Sequence, residues 1–199
     1  MVTVNGPPRG ARLSSTTIFE PDGRAIPFAV EGEGPVSLVL FSEGELDSDG
    51  LAVISHYLVE EAGFHVVRIG TPAESASVDE RVEGAVDVLD RIGLEHTWIG
   101  GHGAGGTAAR TFAASHTDRT NGLLLLGVED DELTLPPLMP VLIIQGTDDE
   151  IAPPSRGDRL RATAPERASV KNIDGAGHLF PRTHPIQTAF IVEEYLDWD

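Results

Sequence analysis

The chain has 199 residues, 40% of them hydrophobic, which predicts one soluble domain with a sizeable core. Its formal net charge of −18, with one lysine among 14 basic residues, argues against nucleic acid or an anionic membrane as a partner, because phosphate binding requires clustered Lys and Arg. No apolar run approaches the length of a membrane span, the N-terminus lacks a signal pattern, and there is no cysteine. We therefore expect a cytoplasmic protein without disulfides.

The first part of the chain predicts a loose tail followed by a β-hairpin. Residues 1–15 contain Gly-Pro-Pro and show little periodicity, so we expect a tail there. Residues 16–20 and 25–30 are typical of strands, and the Pro-Asp-Gly between them is typical of a turn. Since no linker or repeat interrupts residues 16–199, we expect them to form a single domain.

Beyond this hairpin, short apolar runs alternate with segments of helical periodicity. Strands are predicted at residues 36–41, 64–69, 96–100, 122–127, 141–145 and 169–173. Helices are predicted after a cap at Asp47 or Ser48, after the capping box Ser77-Val78-Asp79-Glu80, and at residues 104–115, 155–164 and 185–198. Strands that are apolar throughout are typically buried on both faces. The expected fold class is therefore α/β, with a mainly parallel sheet of about eight strands, an antiparallel N-terminal hairpin and flanking helices.

One strand-to-helix turn has an informative sequence, Gly101-His102-Gly103-Ala104-Gly105. A Gly-x-Ser-x-Gly motif at such a turn presents a nucleophilic serine, but here the flanking glycines surround Gly103 instead. The same letters also fit the Gly-x-Gly-x-x-Gly of a dinucleotide site, and Glu129 and Asp130 after the next strand could then bind a ribose. Against that alternative, the turn follows about the fifth strand of the chain, whereas a dinucleotide fingerprint follows the first.

Two later motifs decide between these alternatives. Residues 141–154 predict a buried strand followed by Gly-Thr-Asp-Asp, which presents Asp149 at the carboxyl end of the strand. Residues 173–180 end another strand with Asp-Gly-Ala-Gly-His, from which His178 emerges. We call the Gly101–Gly105 turn the elbow. The order of elbow, acid and histidine along the chain, together with these motifs, resembles the α/β-hydrolase superfamily over about residues 16–199.

The resemblance implies a role for each motif residue. Asp149 matches the triad acid, His178 the base, Gly103 the nucleophile position, and the Ala104 amide one donor of the oxyanion hole. His102 occupies the variable elbow position, where we expect a packing role. In a serine hydrolase the histidine takes the proton of the nucleophile while the acid orients it. Because Gly103 has no oxygen, covalent catalysis at this position is excluded.

Two further departures from the family pattern concern the surroundings of the elbow. The family often places His-Gly after the first buried parallel strand, where this chain has Ser42 and Glu43. A carboxylate would repel a developing oxyanion, so either Glu43 points away or the hole is absent. Glycine at 103 relieves the positive-φ strain of the elbow and would leave room for about one water beside His178. Residues 128–140 are too short for a helical cap, and Ser42 itself is expected to be a loop serine rather than a nucleophile.

Three functional hypotheses remain open at this point. The Asp149–His178 pair could act as a general base on water or on a substrate, in the hydrolysis of a small ester or in lyase or cyclase chemistry. The chain could instead be a pseudoenzyme that binds a small ligand or a protein, or a serine esterase engineered to glycine at residue 103. We expect a small-molecule ligand, no cofactor and no metal. A cation between the acidic residues 129–132 and 148–150 is disfavoured because no histidine spacing supports it.

Overall fold

The fold is built around an eight-stranded β-sheet, seen in a computed structural model that describes residues 15–43, 46, 50–71, 76–129 and 134–197. The strands are β1 (Thr17–Phe19), β2 (Ile26–Glu31), β3 (Ser37–Phe41), β4 (His65–Ile69), β5 (Thr97–His102), β6 (Thr120–Leu126), β7 (Val141–Gly146) and β8 (Ala168–Ile173). Their order across the sheet is β1-β2-β4-β3-β5-β6-β7-β8. Strand β2 pairs antiparallel with β1 and β4, and the remaining pairs are parallel. The predicted fold class is confirmed.

Helices cover both faces of this sheet. They are α1 (Gly50–Glu60), α2 (Val78–Ile92), α3 (Ala104–Ser115), α4 (Pro154–Ala162), α5 (Phe180–Thr183) and α6 (Pro185–Leu196). The short α5 was not predicted, because four residues cannot display a helical period. The described residues between β6 and β7 include no helix. Residues 1–14 of the predicted tail and the predicted caps Asp47 and Ser48 lie outside the described residues.

The alternation of side chains along β3 shows how the two faces are filled. Leu38 and Leu40 belong to one buried cluster with the apolar residues of α1 and α6. Val39 and Phe41 point to the opposite face and join the cluster that contains the apolar residues of α2 and α3. Burial of each such side chain contributes roughly 1.5–3 kcal/mol. Both faces of the central strands are therefore core, which explains why their sequences are apolar throughout.

The predicted capping box at the start of α2 is present. The amide of Glu80 donates to Ser77 Oγ over 3.2 Å, and the amide of Ser77 donates to Glu80 Oε2 over 2.7 Å. These two bonds satisfy donors that the first turn of a helix leaves without partners. None of the described helices combines the length and apolarity that crossing a bilayer requires.

The parallel strands bring their carboxyl ends to one edge of the sheet, and the predicted site residues follow those ends. In β3 and β5, Phe41 is aligned with Gly101. In β7 and β8, Gly146 is aligned with Ile173. The residues of interest that follow five neighbouring strands along this edge are Glu43, Gly103, Glu129, Asp149 and His178. This edge is where open α/β sheets bind ligands.

Candidate active site

The turn between β5 and α3 has the backbone geometry of a sharp elbow. Gly103 has φ +52° and ψ −120°, a conformation that is strained for any residue with a side chain. Its amide donates to the Leu126 carbonyl over 3.0 Å, which ties the turn to β6. A Cβ on Gly101 would overlap the backbone of Gly105, so α3 can lie this close to β5 only because residue 101 is glycine.

Asp149 and His178 are brought together by the loops that follow β7 and β8. His178 Nδ1 lies 2.8 Å from Asp149 Oδ2. The other oxygen, Asp149 Oδ1, accepts from the amides of Ile151 and Ala152 over 2.9 and 2.7 Å. The Asp149 side chain is 0% exposed and that of His178 is 11% exposed. Because Asp149 is fully buried and fixed by three hydrogen bonds, it holds His178 in one orientation with the proton on Nδ1.

A buried glutamine connects the end of β6 to the loop that carries Asp149. The amide of Val128 donates to Gln145 Oε1 over 2.8 Å, and Gln145 Nε2 donates to the carbonyl of Ala152 over 3.2 Å. Sequence reasoning did not single out Gln145, although an amide side chain at the end of an apolar strand is a detectable signal. Its bonds couple the position of residue 129 to the position of the Asp149 loop.

Glu129 follows β6 and reaches the other nitrogen of the histidine. Its Oε1 lies 3.1 Å from His178 Nε2, and 37% of its side chain is exposed. The guanidinium of Arg156 donates to the backbone carbonyl of Glu129 and holds this part of the chain. The sequence suggested Glu129 only as a ribose or cation ligand. The structure makes it the third member of a carboxylate–imidazole–carboxylate chain, Asp149–His178–Glu129.

Glu43 follows β3 and occupies the predicted oxyanion position. Its Oε1 accepts a hydrogen bond from the amide of Ala104 and a longer one, 3.4 Å, from the amide of Gly105. The positive end of the α3 dipole favours a carboxylate at this place. The expectation that Glu43 points away is wrong, and the other predicted alternative applies. The Ala104 amide is already engaged, and a developing oxyanion would have to displace Glu43.

The two glutamates converge where residue 103 would carry a side chain. A Cβ there would lie 2.5 Å from Glu43 Oε1 and 2.6 Å from Glu129 Oε1, nearer than the 3.0 Å that real Cβ atoms respect. The space predicted for a water beside His178 is therefore taken by carboxylate oxygens. That expectation is wrong because Glu43 and Glu129 turn inward, each toward a partner that compensates its charge.

The ring of His102 packs against the ring of His178. Its Nε2 lies 2.9 Å from the carbonyl of His178, and the two ring centroids are 4.7 Å apart. Since a carbonyl can only accept, His102 Nε2 carries the proton. Burial lowers the pKa of His102, and the bond to His178 together with the nearby Glu43 and Glu129 opposes that effect. A neutral His102 thus supports the backbone of His178.

A buried arginine that sequence reasoning missed connects α2 to the elbow. Arg81 donates to the carbonyl of Ser42 over 2.9 Å and to that of Ala104 over 3.4 Å, and its guanidinium lies 5.8 Å from the Phe41 ring centroid. Burial lowers the pKa of Arg81, and the charge of Glu43 opposes this. Ser42 itself is 0% exposed, and its Oγ makes no hydrogen bond within the described part of the chain. A hydroxyl without solvent access is a poor candidate nucleophile.

Two cavities border the elbow. A cleft of about 160 Å³ lies on the Glu43 side, and its lining includes Leu51, His102, Leu179 and Arg182. A hollow of about 10 Å³, at the lower limit for one water molecule, lies beside Gly103 and Glu129 but does not border His178. His178 lines neither cavity, and its contact with His102, which lines the cleft, connects it to that cleft.

The acidic edge of the sheet is also where a metal ion would bind. Within the described ranges, no group of three or more His, Asp or Glu side chains is arranged to hold one. The acidic residues 130–132, part of the cation hypothesis, lie outside the described residues. The side chains of Asp149 and Glu129 are instead engaged with His178.

Comparison with known proteins fits this geometry. The model of the alpha/beta hydrolase family matches residues 37–181. The chain belongs to the α/β-hydrolase family. This membership excludes the dinucleotide-site alternative for the Gly101–Gly106 turn. Among curated proteins, none matches the chain significantly in sequence.

Solved structures give the same assignment of the fold. MGS-MChE2, an α/β-hydrolase enzyme from the metagenome of lagoon sediments at Mar Chica, Morocco, is 19% identical with a TM-score of 0.76, over 91% of this chain and 98% of that one. A thermophilic esterase from Thermogutta terrifontis, with malate bound, is 18% identical with a TM-score of 0.75, over 92% and 98%. An α/β serine hydrolase homologue from Coxiella burnetii is 14% identical with a TM-score of 0.75, over 92% and 97%. At such identities the likeness establishes the fold alone.

Proposed function

We propose that this α/β-hydrolase-fold protein catalyses general acid–base chemistry on a small molecule, without a covalent intermediate at residue 103. The Asp149–His178 pair is the base, and Gly103 stands at the vacated nucleophile position. The observation that carries the proposal is the 2.8 Å contact between His178 Nδ1 and Asp149 Oδ2, with Asp149 fully buried. Such a pair can supply about 10²–10⁴-fold rate acceleration.

The energetics of the pair support a functional role. A fully buried carboxylate carries a large desolvation cost, and replacing a buried ion pair by apolar side chains is often neutral or stabilising. An apolar pair could therefore serve the fold equally well, so stability alone does not account for Asp149 and His178. A buried acid that orients a histidine at the ligand-binding edge of the sheet is the arrangement that proton transfer requires.

The adjoining cleft indicates the size of substrate. Its volume of about 160 Å³ suits a short ester or a molecule of similar size. The structural likeness to the esterase from Thermogutta terrifontis supports short esters as the first substrates to test. The same base could also drive lyase or cyclase chemistry, in which a substrate proton replaces that of water.

A substrate panel tests the proposal. Short-chain esters and substrates for elimination and cyclisation are assayed with the wild type, His178→Gln, and the control His96→Gln at an exposed position before β5. We expect His178→Gln to lose about 10²–10⁴-fold in kcat/KM on the accepted substrate. The control should keep full activity. A kcat/KM for His178→Gln equal to that of the wild type would contradict the proposal.

One observation favours a second candidate function, a pseudoenzyme that binds a ligand without turning it over. Glu43 takes the Ala104 amide and Glu129 takes His178 Nε2, so the chain fills its own site. A pseudoenzyme of this kind would bind a small molecule in the cleft with the same affinity in the wild type and in His178→Gln. Equal affinity combined with no turnover on any substrate of the panel would favour it.

The convergence of the two glutamates also supports natural divergence over an esterase engineered at a single position. In a serine esterase altered only at residue 103, the surroundings should still accept serine. Here a side chain at that position would have to displace the carboxylate ends of Glu43 and Glu129 from their hydrogen bonds with the Ala104 amide and His178. We expect Gly103→Ser not to restore burst kinetics. A burst with an ester substrate would revive the engineered alternative.

A further inference from the structure

We propose that Glu129 is the catalytic acid–base residue that stands in for the missing hydroxyl of this site. The inference rests on the proposed function and names the oxygen through which the Asp149–His178 pair acts. Three observations place that oxygen. Glu129 Oε1 lies 3.1 Å from His178 Nε2, it lies 2.6 Å from the Cβ position of residue 103, and the side chain is 37% exposed.

The protons of the chain can be counted from its hydrogen bonds. Asp149 Oδ2 accepts a hydrogen bond from His178 Nδ1, so Nδ1 carries one proton. At Nε2, a hydrogen bond of 3.1 Å to a carboxylate oxygen needs one more proton, on Nε2 or on Glu129 Oε1. Glu129 and His178 therefore share one exchangeable proton. This proton lies where a serine hydroxyl would otherwise supply it.

The backbone around Glu129 distinguishes it from a solvated surface acid. The amide of the preceding residue, Val128, is bonded to the buried Gln145. The backbone carbonyl of Glu129 is bonded to Arg156. Two side chains from β7 and α4 thus fix the backbone from which this carboxylate projects.

The two glutamates differ in the partners that their carboxylates contact. Glu43 Oε1 accepts from two backbone amides of α3, and its other oxygen, Oε2, lies 4.0 Å from His102 Nδ1. Those amides donate hydrogen bonds and do not exchange a proton in turnover. Glu129 Oε1 has His178 as its partner, and an imidazole can both take and return a proton. Glu129 is therefore the acid–base residue, and Glu43 is the anion that fills the amide site.

The chemistry balances without any further component when the substrate is an ester. In the resting state the shared proton lies on His178 Nε2. A water oxygen attacks the carbonyl carbon and the water proton passes to the carboxylate of Glu129, while Nε2 keeps its own proton. As the tetrahedral intermediate breaks its bond to the leaving alkoxide, the same proton passes to that oxygen. The products are an acid and an alcohol, and Glu129 and His178 return to their starting state.

The decisive variant is Glu129→Gln, which keeps the length of the side chain and its capacity to hydrogen-bond Nε2 but removes the basic oxygen. We expect kcat to fall by about 10²-fold or more while KM changes little, since proton transfer is lost and the cleft is untouched. Glu129→Asp, with a shorter reach, should recover part of the loss. The matched control is Glu150→Gln, which also removes a negative charge from an exposed position at this edge of the sheet.

The outcomes separate the two proposals. If Glu129→Gln keeps wild-type kcat while His178→Gln is inactive, the role of Glu129 is overturned and the proposed function stands. If no substrate turns over, nitrogen NMR of the imidazole still tests the shared proton. We expect Glu129→Gln to shift the Nε2 resonance of His178 and Glu150→Gln to leave it unchanged. An Nε2 resonance that is the same in the wild type and in Glu129→Gln would overturn the inference.

Discussion

The two halves of the site differ in how they relate to a serine hydrolase. On the acid–base half, the buried Asp149 holds His178 through Nδ1 and is itself held by two amides. On the elbow half, the carboxylates of Glu43 and Glu129 surround Gly103, and Glu43 accepts from the Ala104 amide. The first half thus has the acid–histidine geometry that proton transfer requires, while carboxylates fill the second.

The largest expected effect comes from damaging the acid–base half. Asp149→Asn places an amide group where the buried acid accepts from Ile151, Ala152 and His178. The amide nitrogen then faces a donor, so the orientation of His178 is lost. We expect kcat/KM to fall by about 10²–10⁴-fold, as for the histidine itself, and stability to fall by about 1–3 kcal/mol.

Kinetics and urea unfolding of Asp149→Asn check this prediction, with Asp148→Asn as a control because Asp148 is exposed in the same loop. A variant with normal activity would show that the acid–base half does no chemistry.

The second largest effect is expected from a change in the elbow half. Gly103→Ala introduces a Cβ at φ +52° against two carboxylate oxygens. We expect a loss of about 1–3 kcal/mol from backbone strain, plus the cost of moving Glu43 and Glu129. Gly93→Ala is the matched control, because Gly93 has φ +73° and open space around its Cβ position.

Thermal or urea unfolding gives the difference between these two glycine variants. That difference contains the clash together with the greater backbone strain at Gly103, whose ψ is −120° against 30° at Gly93. If Gly103→Ala destabilises no more than Gly93→Ala, the two glutamates do not occupy the elbow.

A smaller effect is expected far from the site. Ser77→Ala removes the acceptor for the Glu80 amide at the start of α2 and should cost about 1 kcal/mol. Activity should be unchanged. Because Arg81 of the same helix holds the ends of β3 and the elbow, a drop in kcat would show that helix α2 transmits disorder to the site.

The smallest effect concerns pH. Burial lowers the pKa of His102 below its ordinary 6.5, so the unfolded chain binds this proton first as the pH falls. The stability that neutral His102 contributes is complete above that value and is lost as the pH falls through the interval below it. Urea unfolding of the wild type and His102→Gln should therefore converge as the pH falls from about 7.5 toward about 5. A gap that widens would mean that His102 is charged in the fold.

The sequence predicted the parts that depend on local pattern and chain order. Apolar runs, capping signals and the order of the three motifs were enough for the fold and for the proximity of Asp149 and His178. The inward turn of Glu43 and Glu129 could not be predicted, because the conformation of a long flexible side chain depends on partners from other parts of the chain. Arg81 was missed for a related reason. A basic residue on a helix suggests solvent, yet its guanidinium is buried against the carbonyls of Ser42 and Ala104.

The central claim is that the Asp149–His178 pair turns over a small molecule while residue 103 forms no covalent intermediate. Its most direct test is intact-mass spectrometry of the wild type during the first turnovers of the best ester substrate, with product measured in the same samples. We predict that product accumulates linearly from the first turnover and that the mass of the chain stays unchanged. An acylated chain would contradict the account, and so would the absence of product from every ester and from every elimination or cyclisation substrate of the panel.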